Sequence, residues 1–99
     1  MRIIPKRFWL GPHHFITTIR GDLIEEEGAY GMMHIGKQTI HIQEVIPEFN
    51  KESQLQTFLH ELVHAILEVM GWRELSENEK FVEGFSQLLY QFMKTRRNK

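Results

Sequence analysis

At 99 residues, with 12 Lys and Arg against 13 Asp and Glu, the chain has the length of one small domain with a modest core and a formal charge of −1. It has no cysteine, which excludes a disulfide framework and a cysteine-based zinc knot and leaves His, Asp and Glu as the available metal ligands. The near-neutral balance gives no whole-chain reason to expect nucleic acid or an anionic membrane as a partner.

The first stretch, "MRIIPKRFWLGPHHF", lacks a long apolar segment and a small-residue cleavage site, so it does not read as a signal peptide. No apolar run approaches the roughly 18 residues of a membrane span. The expectation is a cytoplasmic protein with no membrane partner, one domain over residues 1–99; the absence of cysteine fits a reducing compartment. Trp9 and Trp72 read as anchors in or at the edge of the core, and His13, His14 and His41 as surface or rim residues.

Up to Pro47, β-branched and aromatic residues sit between glycines. A strand is expected over residues 15–20, followed by an acidic turn at 22–28. Thr39-Ile40-His41-Ile42-Gln43 alternates polar and apolar, the period of a half-buried strand, and Gly36-Lys37 sits where a hairpin turn joins it to a strand over residues 30–35. About three strands result.

After Pro47 the period becomes helical. Leu55, Phe58, Leu59, Leu62, Val63, Ile66, Leu67 and Met70 follow an i, i+3, i+4 pattern, with Ser53 and Gln56 as a capping box and Gly71 as the stop. A second helix is expected from Ser76, with Phe81, Val82, Phe85, Leu88, Leu89, Phe92 and Met93 on one face and a basic tail, "KTRRNK", at its negative end. The short link "GWREL" makes the helices antiparallel neighbours. A small sheet followed by a helical hairpin is an α+β arrangement.

Within the first helix, His60-Glu61-Leu62-Val63-His64 matches H-E-x-x-H. Residues four apart share a helix face, so both imidazoles can point at one metal ion. Glu61 cannot reach that ion in the same way, but it can reach a water beside it and act as general base. Leu62 and Val63 continue the apolar face, which leaves the two histidines on another.

A catalytic zinc site takes three protein ligands and keeps one open position. Glu77, Glu79 and Glu83 are the candidates for the third. The midpoint of the histidines lies about 13 Å before Gly71, while Glu83 lies about 10 Å and Glu79 about 5 Å beyond Ser76, at 1.5 Å per residue. Geometry therefore favours Glu83, and Ser76-x-x-Glu79 offers Glu79 a capping box instead.

With eighteen residues between His64 and Glu83, the pattern resembles the gluzincin metallopeptidases. Glu83-Gly84-Phe85-Ser86 is similar to the third-ligand segment of gluzincin aminopeptidases. Asn78-Glu79-Lys80-Phe81-Val82-Glu83 is similar to the thermolysin-type pattern, in which Glu79 binds zinc and Glu83 orients a histidine. The resemblance covers residues 55–92, and in size and layout it is nearest to the very small stand-alone gluzincin domains and the minimal proteases of phage and mobile elements. It implies a zincin-like metallopeptidase that hydrolyses peptide bonds through a zinc-activated water, with His60, His64 and Glu83 as metal ligands, Glu79 as the alternative third ligand, and a peptide or protein as substrate.

A sheet edge at residues 36–43 is expected to hold an extended peptide by strand addition. Tyr30, His34 and Tyr90 are candidate second oxyanion donors, none with an identifying spacing. Two other readings stand beside the peptidase. One is a zinc-stabilised binding or regulatory module with little or no turnover. The other is a metal-free helical interaction module.

Overall fold

Four strands precede the long helices in the computed structural model, which describes residues 4–97. They are β1 (Arg7–Leu10), β2 (His13–Arg20), β3 (Gly31–His34) and β4 (Thr39–Gln43), in spatial order β1-β2-β4-β3. β1 and β2 form an antiparallel hairpin at Gly11, whose φ of 59° suits a residue without a side chain. β3 and β4 form the expected second hairpin, and β2 joins β4 in parallel, pairing Thr17 with Ile40 and Ile19 with Ile42.

One strand, β1, lies outside the sequence expectation; at four residues it is too short for periodicity to register. Residues 36–43 are no free edge either. β4 is hydrogen-bonded on both sides, so the sheet's edges are β1 and β3. The acidic stretch also does more than turn: Leu23–Glu27 is one short helix, α1, ended by Gly28 at φ 71°. Buried Gln43 holds it, accepting from the Ile24 N–H at 2.7 Å and donating to the Gly21 carbonyl at 3.0 Å.

The twenty-residue helix α2 (Lys51–Met70) carries the apolar repeat read from the sequence. Its cap is Asn50, whose Oδ1 accepts from the Ser53 N–H at 2.8 Å, so the start lies one turn before the expected box. Ile40, Ile42, Leu55, Phe58 and Leu59 form the core between sheet and helix. Phe8 adds to it by stacking on Phe15 and meeting Phe58 edge-on.

On the other side of α2 lie a one-turn helix, α3 (Arg73–Ser76), and α4 (Glu79–Thr95). A second cluster, Val63, Leu67 and Val82, joins them, with Leu75 and Phe81 packed against it. α4 runs back along α2: Val82 reaches Val63 and Leu67, while Lys94 reaches Glu52 near the start of α2. The domain is thus an α+β, zincin-like layout in which a central helix is covered by the sheet on one side and two helices on the other.

The expected apolar face of α4 divides in two. Val82, Leu89 and Met93 pack inward, whereas Phe85, Leu88 and Phe92 are exposed. Trp9 and Trp72, at 65% and 51% exposure, are surface residues rather than core anchors; Trp9 leans on His14. Of the basic tail, Asn98 and Lys99 fall outside the described residues, as do Met1, Arg2 and Ile3 at the other end. Among the described residues no helix is long and apolar enough to cross a membrane.

Candidate metal centre

His60 and His64 stand one turn apart on α2, half-buried, with ring centroids 5.0 Å apart. The chain returning in α3 and α4 meets them with three side chains. Glu79, the first residue of α4, faces both rings through their Nε2 atoms: Oε1 lies 3.3 Å from His60 and Oε2 lies 3.4 Å from His64. Glu83, one turn later, takes the other nitrogen of His60, whose Nδ1–H donates to Oε1 at 2.9 Å. Ser76, buried at the end of α3, takes the other nitrogen of His64, with Oγ 3.0 Å from Nδ1.

His60, His64 and Glu79 therefore bring one ligand atom each within 4.8 Å of one another. Bonds of about 2.0–2.1 Å from a tetrahedral ion require its ligand atoms to lie about 3.3 Å apart. Each Nε2 meets that spacing with a different oxygen of Glu79, and one ligand atom from each of the three residues lies within 4.8 Å of the others. With Nδ1 of His60 committed to Glu83, the neutral ring presents a lone pair at Nε2, the form a metal needs. The donor set fits a divalent cation.

Glu79 is free for this position because it does not cap α4. The cap is Asn78, whose Oδ1 accepts from the Phe81 N–H at 3.0 Å, and Ser76 serves His64 instead of opening the helix. Asn78 lies two residues beyond Ser76, and the insertion of α3 between the long helices makes it the cap. Ser76 as a histidine partner was not legible for the same reason. Glu77 takes no part; it follows α3 as an exposed C-cap.

Glu61 sits beside the cluster in a drier setting. Burial pushes its carboxyl up to about 7, with the Glu79 charge adding to the rise and His60 opposing it. Burial lowers the pKa of His64, partly offset by Glu79. Glu83 is held low first by the Gln87 amide, which donates to Oε2 at 2.7 Å, and then by His60. An anionic Glu83 and a neutral His64 follow from these surroundings.

A cavity of about 440 Å³ adjoins the site, lined by His60, Glu61 and Glu83 on the helices and by Tyr30 and Gly31 at the start of β3. Gly31 was not singled out by its sequence context, yet contact requires it. A Cβ there would stand 2.5 Å from Thr57 Cγ2 and 3.1 Å from Glu61 Cγ, so β3 lies against the helix turn bearing Glu61.

Of the other candidates, Tyr30 stacks on Phe49 and reaches this cavity. Tyr90 donates its hydroxyl to Glu52 at 3.0 Å, and His34 packs against His41 on the sheet. His13 meets Gln38, and His41 meets Arg20. None of these four lines the cavity beside Glu61.

No known protein family, curated protein or solved structure matches the chain.

Proposed function

We propose that this domain is a zinc-dependent peptidase of the gluzincin type. His60, His64 and Glu79 hold the ion, Glu61 is the general base, and Glu83 orients His60. The observation that carries this reading is the convergence of both Nε2 atoms on one Glu79 carboxylate, with Glu83 and Ser76 on the opposite nitrogens. Two imidazoles and one carboxylate are a zinc donor set that leaves a position open.

Bound zinc supplies Lewis-acid polarisation of a carbonyl and acidifies water. The protein's part is proton transfer and positioning. Glu61, with a pKa near neutrality, takes a proton from the attacking water and returns it to the leaving amine. The substrate is an extended peptide added to the free edge of β3, beside Gly31 and Glu61, rather than to residues 36–43.

The test compares zinc-loaded wild type with Glu61→Gln on a broad peptide library. Both bind zinc, and the variant is expected to cleave about 10²–10⁴-fold more slowly. Equal background cleavage overturns the peptidase and leaves the second reading, a zinc-stabilised binding module. That reading has its own support, because the cluster ties α2 to α4 and Ser76 adds α3.

A further inference from the structure

A second cavity, about 790 Å³, opens between the N-terminal segment, β2, the first turns of α2 and the last turns of α4. His60, Glu61, His64, Glu79 and Glu83 are all absent from its lining, so it is separate from the metal centre. Part of its wall is apolar, from Ile4, Ile19 and Leu55.

The charged part of the wall is one-sided. Lys6, Arg7, Lys51 and Lys94 line it against a single carboxylate, Glu52, an excess of 4 − 1 = 3 positive charges in a chain whose net charge is −1. Glu52 is already engaged: Lys94 Nζ donates to Oε2 at 2.9 Å and the Tyr90 hydroxyl donates to Oε1 at 3.0 Å. Lys6, Arg7 and Lys51 form no ion pair among the described residues. α2 also begins at this wall, and its N-terminal dipole adds to the positive field.

Thr17 of β2 belongs to the same wall. It lines the cavity at 5% exposure, and its Oγ1 has no hydrogen-bond partner among the described residues. That oxygen is itself buried and out of a ligand's reach, so recognition here rests on the cations and the apolar wall. A bare inorganic anion leaves the apolar wall unused, and a neutral lipid leaves the cations unused.

We propose that this cavity binds a small amphipathic organic anion, its carboxylate or phosphate among Lys6, Arg7 and Lys51 and its apolar body against Ile19 and Leu55. The assignment does not rest on peptidase activity.

Titrations of the zinc-loaded full chain with decanoate, decyl phosphate, decanol and inorganic phosphate, followed by calorimetry and amide NMR, test it. At least one of the two amphipathic anions is expected to bind at least tenfold more tightly than both decanol and inorganic phosphate. Amide shifts should centre on Thr17, Ile19 and Leu55; which anion binds identifies the head group. Lys6 and Lys51 are exposed, so Lys6→Gln/Lys51→Gln is expected to keep zinc content and melting temperature while weakening that binding at least tenfold. The proposal fails if no anion binds, if decanol or inorganic phosphate binds equally well, or if the double variant binds unchanged. Shifts centred on His60 and His64 would likewise overturn it, by assigning the anion to the metal.

Discussion

Glu79 and Glu83 are one helical turn apart on α4 and meet opposite nitrogens of the same ring, so their substitutions should differ in kind. Removing Glu79 deletes a proposed ligand; removing Glu83 frees His60 to rotate. Glu83→Ala is expected to weaken zinc about 10–100-fold, the usual effect of losing an orienting partner. Glu79→Ala should cost more, and competition with a chelator of known affinity measures both. The opposite order would return Glu83 to the ligand position.

Glu61 has a separate signature in the metal-free protein. Its carboxyl titrates at about 7 against an ordinary 4.5, because burial disfavours the charge. As pH rises from 4.5 towards 7, an unfolded Glu61 releases a proton that the folded one keeps, so the unfolded state gains and stability falls through that window. At about 1.4 kcal/mol per unit, the loss is about 3–4 kcal/mol. Glu61→Gln removes it. The variant's stability relative to wild type should therefore climb across this range in urea titrations, and a flat difference would contradict the burial argument.

Among the elements, α2 was legible from its 3.6-residue period, and the same period placed His60 and His64 on one face. The place of Glu79 in the cluster with His60 and His64 was not legible in that way. Its level along the returning helix depends on where that helix starts, and α3 moves the start from Ser76 to Glu79. That displacement of three residues brings Glu79 rather than Glu83 between the two Nε2 atoms. The sheet was legible as two strand-rich segments, but the parallel pairing of β2 with β4, which buries β4 and frees β3, is a non-local choice that local alternation does not encode. β3 itself depends on Gly31. Gly31→Ala drives a methyl into Thr57 Cγ2 and crowds Glu61, and such overpacking costs about 1–3 kcal/mol. Thr57→Ser removes the obstructing methyl, so Gly31→Ala/Thr57→Ser is expected to recover most of the lost melting temperature. Additive losses in that double-mutant cycle would place the strain elsewhere.

For the molecule as a whole, the two sides of α2 are secured in different ways. The sheet side has two hairpins, a parallel pair and the larger apolar cluster; the helical side has Val63, Leu67 and Val82 with a few neighbours, and Leu89, Tyr90 and Met93 of α4 against the larger cluster. The His60, His64 and Glu79 cluster lies on the helical side and joins α2 to α4, while Ser76 ties in α3. A ligand that binds only the folded state stabilises it by mass action, about 2.7 kcal/mol at a hundred times its dissociation constant. In a domain of this length that corresponds to a rise of about 10–20 °C in melting temperature. Zinc should produce such a rise in wild type, and His64→Ala should abolish most of it. The gain should also be local. Hydrogen exchange is expected to show stripping of the metal loosening α3 and the first turns of α4 well before β2 and β4, because the sheet's hydrogen bonds and core do not pass through the site. Uniform loosening of sheet and helices on zinc removal would instead mean that the metal holds the whole fold together rather than its helical side.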